Sequence, residues 1–221
     1  MEYSIVVLAA GYSHRFGSDK RLASIHGQPM LMATLQNLLA AVEGEEDVGV
    51  QVVLRASDPL VGQQLAKLPV QVLHAPVWPV SIGTSLSSAV EQLTRQGCVP
   101  KGVMVCLGDM PFVEPETIRT LLRAADEDRI CVPVCAGTRG YPIVIGRRFL
   151  SALARLRRNG LEKVLRLYDE AVQDVEVHDP AINCDINRPE DYHAVARQDL
   201  FGKIFASPDT LQDVPQPSAS E

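Results

Sequence analysis

The chain has 221 residues, 46% of them hydrophobic and 22% charged, and a formal net charge of −6. That make-up suits one α/β domain whose core needs no disulfides. The acidic balance argues against nucleic acid or an anionic membrane as a partner, because either would need a basic surface.

Hydrophobic periodicity lays out strands and helices in alternation. Ser4 to Leu8 is β-rich and uncharged, the pattern of a strand buried on both faces. Leu31 to Val42 has helical spacing, and the acidic stretch Glu43 to Asp47 forms a surface turn. Val50 to Leu54 is a strand, Pro59 to Leu68 a helix, Val70 to His74 a strand and Ser85 to Arg95 an amphipathic helix. Val103 to Leu107 reads as a central strand ending at Gly108-Asp109-Met110-Pro111, and Glu114 to Asp126 as a helix with acids in its first turn. Ile130 to Val134 and Ile143 to Ile145 are short strands around the turn Ala136 to Tyr141. Arg147 to Arg157 and Leu161 to Asp169 are helical, Val172 to Val177 is a strand, and Pro189 to Arg197 is a last helix. This order implies a doubly wound, mostly parallel α/β sheet with one or two antiparallel additions. Residues 1–206 form the single domain, and the Pro-, Ser- and Gln-rich tail 207–221 is expected to be disordered.

Cys98, Cys106, Cys131, Cys135 and Cys184 are odd in number and scattered, with no signal peptide or membrane-spanning run, as expected of reduced thiols in a cytoplasmic protein. None has the spacing of a zinc site. His14, His26, His74, His178 and His193 show no metal spacing either. Only His14, inside the first loop, has a functional reading beside that of a solvent-facing side chain. There is no G-x-S-x-G elbow for covalent hydrolysis.

Three segments carry the chemistry, and each follows or faces the carboxyl end of a strand, where ligands gather in open α/β sheets. In the first, Ala9, Ala10 and Gly11 remove side-chain bulk where the chain turns, so an anion can approach backbone N–H groups, and Arg15 and Lys20 add charge-assisted contacts. The spacing is not that of a P-loop, because Lys20 is followed by Arg21, and no G-x-G-x-x-G is present. In the second, Asp109 emerges from an apolar strand. A carboxylate there is costly unless a cation meets it, which makes it a metal-ligand candidate; the alternative is a cap for the next helix. In the third, Asp185 and Asn187 are two apart, so an extended backbone turns both to one side. Pro189 fits a first helical position, with Glu190 and Asp191 in the first turn.

The spelling L-A-A-G-x-S-x-R-x-G-x-x-K from Leu8, Gly-Asp-x-Pro at 108–111 and Asp-Ile-Asn-Arg-Pro-Glu-Asp at 185–191 together resemble the molybdenum cofactor cytidylyltransferases of the nucleotidyltransferase superfamily. The resemblance spans about residues 4 to 195 and implies a Rossmann-like fold. It implies nucleotide contacts from Leu8, Ala9, Ala10, Gly11, Ser85 and Gly108, and catalytic roles for Arg15, Lys20 and Asp109. Mg²⁺ would be held by Asp109 with Asp185 and Asn187, where Asn187 replaces a family acid and leaves the site one negative charge short. The implied reaction transfers a nucleoside monophosphate from a triphosphate to a phosphorylated acceptor, with molybdopterin first and a molybdoenzyme as the conceivable protein partner. Ala10 matches the cytidylyl branch, so CTP is the expected nucleotide; the guanylyl branch more often has Gly-Gly.

The acceptor half departs from the family. Tyr141 replaces a His in the Gly137 to Pro142 loop, and Arg158 to Leu165 lacks the family's acid and second Gly; in the loop Ala75 to Leu86, which carries Ser85, Ser81 replaces a Gly. Trp78 either flanks the acceptor or is plain packing. A transferase for a sugar phosphate or other small phosphorylated acceptor, and a non-catalytic carrier of the molybdenum cofactor, are the alternative functions.

Overall fold

The computed structural model describes residues 2–13, 16–97, 99–157, 160–188 and 191. Arg15, His14, Cys98, most of the expected last helix and the tail 207–221 lie outside the described residues. Ten strands and six α-helices occur among those described. In chain order they are β1 (Tyr3–Leu8), β2 (Ser24–Ile25), β3 (Gln28–Pro29), α1 (Met30–Ala41), β4 (Val48–Leu54), α2 (Pro59–Leu65), β5 (Gln71–His74), α3 (Ile82–Arg95), β6 (Gly102–Leu107), α4 (Pro115–Ala124), β7 (Ile130–Cys135), β8 (Thr138–Arg139), β9 (Ile143–Gly146), α5 (Leu150–Ala154), α6 (Glu162–Leu167) and β10 (Val172–Glu176).

The main sheet has the order β10-β7-β9-β6-β1-β4-β5, with β8 paired to β7. β1 runs parallel to both β4 and β6, β4 parallel to β5, and β7 parallel to β10; β9 is antiparallel to β6 and β7. A doubly wound, mostly parallel sheet with antiparallel additions is therefore what the chain forms. The period of two decides which residue meets which helix layer. Ile5, Val7, Met104 and Cys106 face the layer of α1, α2 and α4, where Leu31, Leu35, Val61, Leu65, Ile118 and Leu121 are buried. Val6, Val103 and Val105 face the other layer, with Leu86, Val90 and Leu93 of α3, Phe149, Leu153 of α5 and Val164 of α6. β1 is covered on both sides, as its uncharged sequence requires.

Two local differences from the sequence expectation matter for the site. β2 and β3 form a small antiparallel hairpin whose turn residues, His26 and Gly27, have φ of 48° and 81°, the left-handed backbone of a tight hairpin turn. α3 starts at Ile82 instead of Ser85, because Ser81 is its N-cap: the Ser81 hydroxyl accepts from the Thr84 N–H at 3.2 Å, and the Ser81 N–H donates to Thr84 Oγ1 at 2.9 Å. No helix among the described residues is long and apolar enough to cross a membrane. Cys106 and Cys131 are buried free thiols, and Cys135 and Cys184 are half-buried ones.

Candidate active site

β1 and β6 lie side by side in register, Leu8 against Leu107, so their carboxyl ends open onto the same cleft. Gly108 permits this closeness: an added Cβ would stand 3.1 Å from the Ala9 Cβ and 3.1 Å from Leu31 Cδ1, and its N–H donates to the Leu8 carbonyl at 3.0 Å. Ala9 and Ala10 are buried small residues, and the Ala9 N–H is fixed to the Val53 carbonyl at 3.0 Å. Gly11 is exposed, with open space where a side chain would be.

The segment 184–188 is brought to the cleft by its one apolar residue. Ile186, fully buried, packs into a small cluster with Ile25 of the hairpin, Met30 and Ala33, flanked by Phe16 and Phe112. Its N–H donates to the Asp109 carbonyl at 3.0 Å. With Ile186 held inward, the alternation of extended chain turns Asp185 and Asn187 outward together, and the Asn187 amide donates to the Asp185 carboxylate. Asp191 secures the following turn, its carboxylate accepting from the Asn187 and Arg188 N–H groups at 2.8 and 2.7 Å.

Lys20 reaches the centre of this arrangement from the 3₁₀ turn Lys20–Leu22. Its ammonium is paired with the Asp109 carboxylate and donates to Asn187 Oδ1 at 3.0 Å and to the Ile186 carbonyl at 3.3 Å. Asp109 is therefore not the cap of the next helix; α4 starts at Pro115 after Glu114, and the Asp109 side chain turns to Lys20. Burial pushes the Asp109 carboxyl above the ordinary carboxylate range, Lys20 pulls it back and Asp185 pushes it up again.

Leu8, Ala9, Ala10, Gly11, Lys20, Ser85, Gly108, Asp109, Asp185 and Asn187, the described members of the sequence-derived site, all line one cleft with a cavity volume of about 280 Å³. Arg21, Val80, Ser81, Ile82 and Leu107 complete its wall. Asp109, Asp185 and Asn187 bring two carboxylates and a neutral amide carbonyl to it. Among the described residues no group of three or more His, Cys, Asp or Glu could hold a metal ion. This all-oxygen set fits a hard cation that takes its remaining ligands from a phosphate substrate, the usual habit of Mg²⁺, and does not form a closed protein cage.

The residue that sequence reasoning missed is Arg21. It is 3% exposed and donates to the Ala9 carbonyl at 2.9 Å, while Asp19, Asp58 and Arg55 surround it. Trp78 is 77% exposed, which excludes plain core packing. Tyr141 is half-buried; burial pushes its phenol up, with Glu162 and Asp185 adding to the shift.

A family model described as the MobA-like NTP transferase domain matches residues 5–175. Over 131 residues, 58% of this chain, the sequence is 28% identical to a "Probable molybdenum cofactor guanylyltransferase" of Thermococcus sibiricus (strain DSM 12597 / MM 739), and the match spans 60% of that relative's length. Rv0371c from Mycobacterium tuberculosis H37Rv superimposes with a TM-score of 0.72 at 26% identity, covering 88% of this chain and 98% of that one. A structure of the same protein in complex with manganese gives a TM-score of 0.67 at 25% identity over the same shares. A nucleotidyl transferase from Methanothermobacter shares the fold, with a TM-score of 0.74 at 23% identity, covering 91% of this chain and 98% of that chain.

Proposed function

From the premise that the chain belongs to the MobA-like NTP transferase domain family, we propose that it transfers a nucleoside monophosphate from a nucleoside triphosphate to a phosphorylated acceptor. The observation that carries this reading is the convergence of the Ala9–Gly11 loop, Lys20, Asp109, Asp185 and Asn187 on one cleft at the carboxyl ends of β1 and β6. CTP is the proposed nucleotide. It is supported by the spelling of the loop, where Ala10, a buried residue at the cleft, stands where the guanylyl branch more often has Gly. The name of the Thermococcus relative favours GTP as the second reading.

The acceptor is proposed to be a molybdopterin-type phosphate, as the relative's name suggests. Tyr141 and the altered segment 158–165 favour another small phosphorylated acceptor as the competing choice. An oxygen of the acceptor phosphate attacks the α-phosphorus. The new P–O bond forms as the bond from the α-phosphorus to the bridging oxygen of the β-phosphate breaks, and pyrophosphate leaves with that electron pair. A phosphate monoester is largely deprotonated near neutral pH, so the chain needs no general base; its work is positioning and charge neutralisation.

In this reading the loop amides after β1 receive the phosphates, Ser85 and Ser81 border the nucleoside, and Arg15 and Lys20 hold the departing pyrophosphate. Asp109, Asp185 and Asn187 would hold Mg²⁺, which when bound neutralises phosphate charge; the manganese complex of Rv0371c supports a divalent cation in this fold. Lys20 then has two partners in turn. Its ammonium neutralises Asp109 in the structure; it would turn to the phosphates of a bound nucleotide and free the Asp109 oxygens to hold a divalent cation. A carrier of finished cofactor has no use for such an exchange.

Thermal unfolding with each of the four nucleoside triphosphates and Mg²⁺ tests the reading. A triphosphate at 100 times its dissociation constant adds about 2.7 kcal/mol, and CTP is expected to give the largest shift. Equal, negligible shifts with all four would remove the proposal.

A further inference from the structure

Beneath the loop that follows β1, two guanidinium groups and two carboxylates interlock. Arg21 Nε donates to Asp19 Oδ1 at 2.8 Å and Nη2 to Asp58 Oδ1 at 2.9 Å; Nη1 reaches Asp58 Oδ2 at 2.5 Å and the Ala9 carbonyl at 2.9 Å, and Nη2 also bonds Asp19 Oδ2. Arg55 closes the cluster, donating to Asp19 Oδ2 at 2.9 Å and to both Asp58 oxygens at 3.0 Å. A guanidinium has five N–H donors, and Arg21 makes five bonds. It has none left for a ligand, although it stands in the cleft wall. Whatever Arg21 does for the site, it does through its neighbours.

Those neighbours are the parts proposed to grip a triphosphate. The Ala9 carbonyl belongs to the phosphate loop, and Asp19 is the N-cap of the turn that carries Lys20, accepting from the Arg21 N–H at 3.2 Å. Asp58 precedes α2 at its N-cap position, yet it makes no side-chain cap and gives its carboxylate to the two arginines. The chain thus gives up a helix cap at Asp58 to complete this cluster. Stability alone is a poor reason for that, because buried ion clusters seldom exceed a well-packed apolar substitute. An apolar substitute cannot, however, hold a backbone carbonyl and a neighbouring turn in fixed relation.

We infer that Arg21 is a positioning residue: its guanidinium, braced by Arg55, Asp19 and Asp58, sets the height of the Ala9–Gly11 loop and the direction of Lys20, and so sets affinity for the β- and γ-phosphates of the nucleotide. This rests on the triphosphate reading of the cleft. Lysine cannot take the role, since a point charge with three donors does not reproduce the fork.

The test is calorimetric titration of CTP and GTP, each beside its monophosphate, into wild type, Arg21→Lys and the milder Arg55→Gln, each with and without Lys20→Ala. Misplacing an otherwise intact clamp by up to an ångström costs on the order of 10- to 100-fold, so Arg21→Lys is expected to lower the triphosphate-to-monophosphate affinity ratio by that amount. Arg55→Gln should lower it less, and both effects should shrink in the Lys20→Ala background. A merely stabilising cluster would lower the melting temperature and leave the ratio within about twofold of wild type in both variants, which overturns the inference. If Arg21→Lys fails to fold, the Arg55→Gln ratio decides. Unchanged triphosphate affinity in Lys20→Ala alone would instead overturn the reading of the cleft itself.

Discussion

Removing Lys20 should have opposite effects on the two ligands of the site. The Lys20 ammonium is paired with Asp109 and donates to Asn187 Oδ1 at 3.0 Å and the Ile186 carbonyl at 3.3 Å. A divalent cation that arrives alone must first displace it. A charge-assisted contact of this kind is worth about 1.5–3 kcal/mol, and about 1.4 kcal/mol is tenfold in affinity. Lys20→Met should therefore bind Mn²⁺ about 10- to 100-fold more tightly than wild type when no nucleotide is present, while binding CTP more weakly. General damage to the fold would lower both affinities. The pH dependence has a definite sign. Burial already raises the Asp109 pKa and Lys20 opposes that rise, so its loss raises the pKa further and a proton competes with the metal. The gain in Mn²⁺ affinity should be larger at pH 8 than at pH 6. Free Mn²⁺ is counted directly by its electron paramagnetic resonance signal; an unchanged or lower affinity at pH 8 would refute the exchange.

Three further outcomes follow from the same geometry. Asp109→Asn should keep much of the nucleotide binding and lose Mg²⁺-dependent turnover, because charge at that position matters most while the phosphates reorganise; paired calorimetry and steady-state kinetics separate the two. Asn187→Asp should raise metal affinity in the absence of nucleotide, since it adds a carboxylate and removes the amide that donates to Asp185; identical metal titrations would mean that residue 187 does not face the ion. Ser81→Gly removes the hydroxyl that accepts from the Thr84 N–H and should cost only a few tenths of a kcal/mol in thermal unfolding, with nucleotide affinity equal to or above wild type because the cleft wall recedes.

What the sequence discloses of this site is local chemistry. Ala9, Ala10 and Gly11 after a charge-free strand, and Asp109 after another, are signals contained in a few adjacent residues. They meet because β1 and β6 are neighbours in the sheet. Asp185 and Asn187 are legible from their two-residue spacing within a motif that resembles the family's closing one, and the structure adds that the buried Ile186 between them fixes which way they turn. The hairpin β2–β3 was not, because each strand has two residues, the turn His26-Gly27 lacks the usual Asn-Gly spelling, and Ile25 is held by packing near Ile186. The start of α3 was misplaced by about one turn: its capping box pairs Ser81 with Thr84, where the usual signature has Glu or Gln. Arg21 was invisible as a strut because its partner Asp58 lies 37 residues away, a distance over which residue spacing carries no information. Arg15 and residues 158–159 and 189–190 lie outside the described residues.

Transfer itself is the most direct test of the account. Incubating the protein with Mg²⁺, an α-³²P-labelled nucleoside triphosphate and a molybdopterin-type phosphate should release pyrophosphate and move the label onto the acceptor, fastest with CTP and lost in Asp109→Asn. Acceptor bound tightly with no pyrophosphate released from any of the four triphosphates would contradict it and make the chain a carrier.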